Sequence, residues 1–454
     1  MFDLHGAKKI LIVNTRSGEY LLRGLVMWGA WSVASYFKTL VPEGEVHMLD
    51  ENNENNFREK FNEIAPKCDL VGFSVSSMQI AYTLPLIKYI KSHFPRIRVI
   101  IGGIHPALFP DQDYGGLIDE VVTYDLPKDY FFYEFLPDSV KEVYKTRSQV
   151  VTGFNCSFKC AFCVNSVRNC AYEAVPLDKI KADLDYVIKE FKPKKIYFRD
   201  EDFFQDINKA RAVIDYILEK KYKFGWDTSS RVSHFATGKI DDNLLDKMKQ
   251  AGCLQLRFGV ESGSQRVLNY LRKGQTVDMI KNAVKKCLEH GIGASCSLLI
   301  GIPTETASER EETYKLIEEL SSYGKGVNLL GPQLYRPYPG GILYEEIKKY
   351  GLKFPDSFEE WAAYYDNGNN PQGHVFDTKI NYPWLDKNER KTLPYAFAAV
   401  HYGLNYKNEN SRIKRMISRW FMKKWKKRDF GSLGMVFFMY IRKKYMTSYI
   451  NNHP

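Results

Sequence analysis

Between Asn155 and Cys163 the chain reads NCSFKCAFC. Cys156, Cys160 and Cys163 stand with three residues in the first gap and two in the second. Just upstream, QVVTGFN (149–155) is a β-branched run that predicts a strand ending at the first cysteine. Three thiols in a loop after a strand can be packing, zinc ligands or cluster ligands. Inert packing accounts poorly for such density. Zinc needs a fourth ligand, which Cys170 offers, but zinc pairs usually come as two separated knuckles. A [4Fe–4S] cluster held by three thiolates keeps one iron open, a place to bind and activate a substrate.

Moving outward, the region from Val150 to about Gly340 alternates strand and helix signals. After 149–155 come KKIYFRD (194–200), KFGWDTSS (223–230), LQLRFGV (254–260), GASCSLLIG (293–301) and VNLLGPQLY (327–335). LDKIKADLDYVIKEF (177–191) and VDMIKNAVKKCLEHG (277–291) read as helices between them. Six βα units predict a full or partial barrel with its site at the carboxyl ends of the strands. The cysteine loop falls at the end of the first.

The first 125 residues show the same alternation in a shorter register. KKILIVNT (8–15), EVHMLDE (45–51), DLVGFSVSS (69–77), RIRVIIGG (96–103) and DEVVTYD (119–125) read as strands. Segments 21–40 and 79–94 read as helices, with Pro85 in or near the first turns of the latter. A doubly wound parallel sheet follows, whose ligands bind beyond the strand ends at Asn14–Gly18, Ser74–Met78 and Gly102–His105.

The net charge of +11 has one address. Ser411 to Tyr445 holds twelve Lys or Arg and a single acid, Asp429, a surplus equal to that of the whole chain. The basic balance therefore says nothing about the main body's substrate. SRIKRMISRWFMKKWKK (411–427) has helical periodicity, with apolar residues at 413, 416, 417, 420, 421 and 425. It predicts a docking helix, a peripheral membrane contact through 411–445 or, less favoured, a nucleic-acid contact. GMVFFMYI (434–441) is apolar but too short to span a bilayer. No run of eighteen apolar residues occurs, and MFDLHGAKKILIVNT carries no secretory pattern, so a cytoplasmic protein is expected. Eight cysteines in 454 residues do not suggest a disulfide scaffold.

CSFKCAFC resembles the CxxxCxx(aromatic)C pattern of the radical S-adenosylmethionine (SAM) superfamily, with Phe162 as the aromatic. YFRDEDFFQD (197–206), FGVESGSQRVLNYLRKGQT (258–276) and LLIGIPTET (298–306) resemble the second-, fourth- and fifth-strand motifs of the subgroup with an N-terminal cobalamin-binding domain. The likeness covers roughly 190 residues, with the motifs in order. It implies that Cys156, Cys160 and Cys163 hold a [4Fe–4S] cluster whose open iron chelates SAM. One-electron cleavage would then give a 5′-deoxyadenosyl radical that abstracts hydrogen from an unactivated carbon, with the electron drawn from an external low-potential donor. Phe162, Arg231, Glu261, Ser262 and the Gly301–Pro303 turn become candidate SAM-binding positions. For Glu261 and Arg231 the alternative is a mutual salt bridge that closes the barrel.

The first domain resembles the cobalamin-binding domain of the same subgroup through IGGIHPALFPD (101–111) and LVGFSVSSMQ (70–79). That implies cobalamin lying on the strand ends, with Ser74, Ser76, Gly102, Gly103 and His105 as candidate contacts. His105 is more often structural in this stretch than a cobalt ligand. Two segments depart from the pattern: TYDLPKD (123–129) replaces a G-E-G-E turn, and NTRSGEYLLRG (14–24) replaces a proline-rich loop. Cys68, Cys170, Cys253, Cys287 and Cys296 show no second cluster spacing, which disfavours methylthiotransferases and enzymes with auxiliary clusters.

The expected fold is α/β: a doubly wound cobalamin-binding-like domain (1–145), a partial (β/α)6 radical SAM barrel (146–345) and a mainly helical basic extension (346–454). The implied function is a cobalamin-dependent C-methyltransferase acting on a small-molecule or lipid substrate. PQLYRPYPGG (332–341) would shape the substrate mouth, with Tyr335 and Arg336 as candidates. The alternatives are a radical cyclase or rearrangement enzyme, with or without cobalamin, and a noncatalytic corrinoid- or metal-binding protein.

Overall fold

The computed structural model describes residues 2–18, 26–127, 131, 133–168, 171–364, 382–408 and 411–441. Contacts divide the chain into two units, Met1–Tyr144 with Lys353–Ile380, and Lys145–Leu352 with Asn381–His453.

The first unit is built on five parallel strands: β1 (Lys9–Asn14), β2 (Glu45–Asp50), β3 (Leu70–Ser74), β4 (Arg98–Gly102) and β5 (Glu120–Val121). Their order is β2-β1-β3-β4-β5, a doubly wound arrangement. β1 is buried at every residue after Lys9, as a parallel strand covered on both faces must be. Helix Ile80–His93 packs Leu84, Ile87 and Ile90 into a core with Val71, Phe73, Val99 and Ile101. Pro85 sits in the second turn of that helix, near its start as expected. Helix Phe358–Tyr364 adds Phe358 and Trp361 to the same core, so part of the expected C-terminal extension belongs to this unit. The helix expected from residue 21 begins at Trp28; residues 19–25 lie outside those described.

In the second unit a six-stranded parallel sheet joins β6 (Arg147–Val150), β9 (Lys195–Phe198), β10 (Gly225–Ser230), β11 (Cys253–Glu261), β12 (Gly293–Ile300) and β13 (Val327–Leu334). Each pairs with its neighbour in chain order, and β6 and β13 are the two ends, so the barrel is partial. QVVTGFN is not one strand. It divides into β6 and a short β7 (Gly153–Phe154), which pairs antiparallel with β8 (Glu173–Ala174). The break is at Thr152, whose N–H (2.8 Å) and hydroxyl (2.5 Å) both go to the Asp200 carboxylate. Ile196, Phe198, Trp226, Leu256, Phe258, Ala294, Cys296 and Leu298 are fully buried beneath the helices. Residues of opposite parity carry polar groups: Asp227 on β10 meets Arg147 (3.4 Å), Arg257 (3.2 Å) and Gln255 (3.4 Å). Cys253, Cys287 and Cys296 are buried, and burial raises all three thiol pKa values, which fits core packing.

Candidate active site

The cysteine loop is clamped by backbone hydrogen bonds from two sides. Ala161 N–H donates to the Leu271 carbonyl (2.9 Å), and Leu343 N–H donates to the Ala161 carbonyl (2.9 Å). Below it Ala161, Val267, Leu271, Ile302, Tyr335 and Leu343 form an apolar cluster against which Phe162 packs. Tyr335 is therefore a buried floor residue rather than a residue of a substrate mouth. Gly341, at a φ of +95°, passes so close that a Cβ would stand 3.1 Å from the carbonyl oxygens of Ala161 and Cys163.

Cys160 is buried, and Cys156 and Cys163 are half-buried. Burial pushes the Cys156 thiol up to about 11, opposed by a backbone N–H from Phe158 and by the Arg231 charge. Cys163 is raised by the same cause, opposed by the Asn165 N–H and the Lys273 charge. A metal centre that takes the place of these protons relieves that cost. Among the described residues no three His, Cys, Asp or Glu side chains gather at single-ion spacing. A cubane asks for something else, since each thiolate holds a different iron.

Two buried cations serve the loop. Arg231, just beyond β10, lies 3.7 Å over the Phe158 ring, donates from Nη1 to Cys160 Sγ (3.5 Å) and from Nη2 to the Lys273 carbonyl. Its Nε is buried without a protein partner. Lys273 pairs with Glu261 (3.3 Å) and stands 5.8 Å from the Phe162 ring centre. The Arg231–Glu261 bridge posed as an alternative is thus replaced by two other pairings. Lys273 was within the quoted fourth-strand motif, so its signal was present in the sequence. Three thiols, N–H donors aimed at sulfur and two cations, one with a spare buried donor, are a donor set that fits an anionic iron–sulfur cluster.

Gly259 makes the Glu261–Lys273 pair possible: a Cβ there would lie 2.4 Å from Glu261 Oε1 and 2.9 Å from Lys273 Nζ. Ser262 is turned away to Thr313 (3.1 Å) and also accepts from the Ser264 N–H (3.1 Å), so it anchors the helix Ala307–Ser322 instead of facing the loop. At the end of β12 the Gly301 N–H goes to Glu305 (2.6 Å) and the Gly301 carbonyl accepts from Trp384 Nε1 (2.9 Å). That turn, with Pro303 buried in it, has its first residue's backbone groups already engaged. Two buried networks escaped sequence reading: Asp200 with Thr152, Lys209 and Tyr172, and Asp202 with His234 (2.7 Å). Asp200 is raised by burial, with Lys209 opposing.

In the first unit a cavity of about 110 Å³ opens at the strand ends. Ser74, Gly102 and Gly103 line it from the sheet, Gly29 and Phe37 from the helix Trp28–Leu40, and residues 124–127 from the loop after β5. Gly103 is fixed by its φ of +103° and by Val75, whose backbone would stand 2.9 Å from a Cβ. His105 and Ser76 are not among the lining residues. Ser76 caps the turn Ser77–Gln79. His105 is buried, with Nδ1 2.8 Å from the Ser77 hydroxyl and Nε2 2.8 Å from Gln112 Oε1. Burial lowers its pKa to about 4, so the ring is neutral and both nitrogens are occupied. It is a structural residue and has no lone pair for cobalt. At the other strand ends Asn14, Asp50 and Gln79 form a buried network, Asn14 to Asp50 at 2.7 Å and Gln79 to Asn14 at 2.9 Å.

Residues 150–317 match the family described as the radical SAM superfamily. The second unit thus carries a radical SAM domain, the class whose members use a [4Fe–4S] cluster and SAM. An uncharacterized methyltransferase of Pyrococcus horikoshii is 32% identical over 235 residues, covering 50% of this chain and 46% of that protein. The chain therefore spans about half the length of that relative. Among solved structures, the radical SAM methyltransferase TsrM from Kitasatospora setae, with cobalamin and a [4Fe–4S] cluster bound, is 13% identical. The likeness covers 93% of this chain and 100% of that one, with a TM-score of 0.58. The cobalamin-dependent radical SAM enzyme OxsB with aqua-cobalamin is 14% identical, over 93% of this chain and 72% of that one, with a TM-score of 0.61. At these identities the likeness is one of fold: a doubly wound domain, a partial barrel and a helical C-terminal region.

Proposed function

We propose that the chain is a cobalamin-dependent radical SAM enzyme that transfers a methyl group to an unactivated carbon of a small molecule. The observation that carries the reading is the cysteine loop with its two buried cations, Arg231 and Lys273. Methyltransferase as the reaction is supported by what the Pyrococcus relative and TsrM are called. Bound together, the cluster, SAM and cobalamin would supply hydrogen abstraction and a transferable methyl group.

The chain's own residues would do the rest. Cys156, Cys160 and Cys163 would hold the cluster. Arg231 would offset its negative charge and hydrogen-bond Cys160, while its free Nε is placed for a further anionic group such as a carboxylate. Glu261 keeps Lys273 in place over Phe162. The apolar floor keeps water from the loop. In the first unit Ser74, Gly102 and Gly103, with Gly29 and Phe37 from the facing helix, would hold part of cobalamin in the cavity, which has room for a small, largely apolar group.

Anaerobic reconstitution with iron, sulfide and hydroxocobalamin tests this. About four irons, the content of one cubane, and near-stoichiometric cobalt per chain are expected. With a strong reductant and SAM, both S-adenosylhomocysteine and 5′-deoxyadenosine should form once a substrate is supplied. Cluster without cobalt would move the reading to a radical cyclase or rearrangement enzyme.

A further inference from the structure

The C-terminal helix Arg412–Lys426 was expected to have one apolar stripe, and it has two apolar faces with different fates. Phe421 and Trp425 are fully buried. Trp425 Nε1 donates to Glu318 (2.8 Å), and Ser418 Oγ donates to the Gly403 carbonyl (2.7 Å). Arg428 locks the end of the helix to Glu311 (2.7 Å) and Glu318 (3.0 Å). This face docks on residues 399–408 through Ser418 and Phe421, which meets Tyr402, and at its end on the helix Ala307–Ser322 through Trp425.

The second face is open. Ile413 is 67% exposed, Met416 66% and Trp420 36%. Their spacing of three and four places them side by side, away from the docked face. A second helical segment, residues 433–441, lies against them and adds Phe437, 65% exposed, and Ile441, 48%. Met416, Trp420, Gly434, Phe437 and Ile441 line one apolar groove. Leu433 and Tyr440 extend the exposed apolar surface, at 88% and 61%. A third set, Arg412, Arg415, Arg419, Lys423 and Lys426, is exposed along the remaining side of the helix at spacings of three and four. An apolar face thus runs beside a continuous basic one, on a helix already fixed to the domain.

We infer that this face is a docking surface for an anionic phospholipid bilayer. The apolar residues would enter the boundary between headgroups and acyl chains, and the arginines and lysines would meet the phosphates. Charge chooses this occupant. A second copy of the chain would set one basic row against another. RNA would satisfy the basic row but would leave Ile413, Met416, Leu433 and Ile441, which cannot stack on bases, facing water. No helix among the described residues is long and apolar enough to cross a membrane, so the contact would be one of surface. The inference stands independently of the methyltransferase reading.

The test is co-sedimentation of the full chain with vesicles of phosphatidylcholine alone and of phosphatidylcholine with phosphatidylglycerol. Binding to the anionic vesicles, weakened by salt and at least about tenfold weaker on neutral ones, is expected. Met416→Glu with Phe437→Glu, and separately Arg419→Glu with Lys423→Glu, should each lower binding by about tenfold or more. All four positions are at the surface, and an unchanged circular dichroism spectrum would show the fold intact. Equal binding to both vesicles, or none to either, would overturn the inference. So would retention of vesicle binding by the Met416/Phe437 variant, or a monomer–dimer equilibrium that this variant abolishes. Capture of single-stranded RNA in place of anionic vesicles would do the same.

Discussion

The two parallel sheets of this chain end differently. In the first unit β3 and β4 finish on Ser74 and Gly102, small and neutral, and a cavity opens beyond them, while β1 and β2 finish on the hydrogen-bonded Asn14 and Asp50. In the second unit the strands run into Thr152, the acidic Asp200–Asp202, Arg231 and Glu261, and the space beyond them is filled with paired charges and thiols. Strand–helix alternation builds both, and in both the site falls at the carboxyl ends. What separates them is the size and charge of one or two residues past each strand. Emptied ends leave a slot for a flat, largely apolar group. Charged ends build a polar cage for an anionic one.

The sharpest way to break that comparison is to remove one cage wall. Cys160→Ala should abolish cluster retention and SAM cleavage, a loss of about a thousandfold or more, while cobalt retention by the first unit stays unchanged. Iron and cobalt counts on the same reconstituted sample decide it. If cobalt falls with iron, the two sites are not separate. Arg231→Met comes next. It removes two hydrogen bonds and the stacking on Phe158, about 4 kcal/mol from the second unit, and iron retention should fall with it. Arg231→Lys, which keeps the charge, should recover part of the iron and little of the stability. Gly29→Leu tests the emptied ends. A Cβ at Gly29 meets only Ser74 Oγ, at 3.9 Å, so the side chain would grow into the cavity without strain. Cobalamin retention should drop about a hundredfold, near 2.7 kcal/mol, with iron untouched.

The same contrast explains what could be read from the sequence. Strand runs depend on residues that carry their own signal, so LQLRFGV and VNLLGPQLY were placed to within a residue of β11 and β13. The cysteine triad and the glycines were legible because spacing alone marks them. What failed was pairing. Asp200 breaks the first barrel strand by capturing Thr152 from 48 positions away, and nothing local announces it. Glu261 takes Lys273 in place of Arg231 because the chain after β11 returns across the site. The tail's single stripe becomes two faces because Phe421 packs on Tyr402 and Trp425 on Tyr314 of the helix Ala307–Ser322, while Ile413 and Met416 stay exposed. For His105 the structural reading was already the favoured one, and its ring sits between Ser77 and Gln112.

The smallest expected effect sharpens the comparison most, because the two units should answer pH in opposite senses. His105 in the first unit has a folded pKa of about 4, below the ordinary histidine value of 6.5, because burial disfavours its charge. Its contribution is present above pH 6.5 and is lost as pH falls toward 4, where the unfolded chain binds the proton and the folded one does not. Glu305 in the second unit is raised from 4.5 to about 7 by burial, and Oε1 has no partner. Below pH 4.5 it is neutral in both states. As pH rises from there toward 7 the unfolded chain loses the proton first, so stability falls with rising pH. Between pH 5 and 6.5 each group should shift the stability of its own unit by about 2 kcal/mol, in opposite directions. His105→Gln should flatten the acid loss, and Glu305→Gln the loss toward neutrality. Calorimetric midpoints of the two variants and the parent across that window measure both slopes. Slopes of the same sign would show that the two groups do not sit in the separate, oppositely poised environments described here.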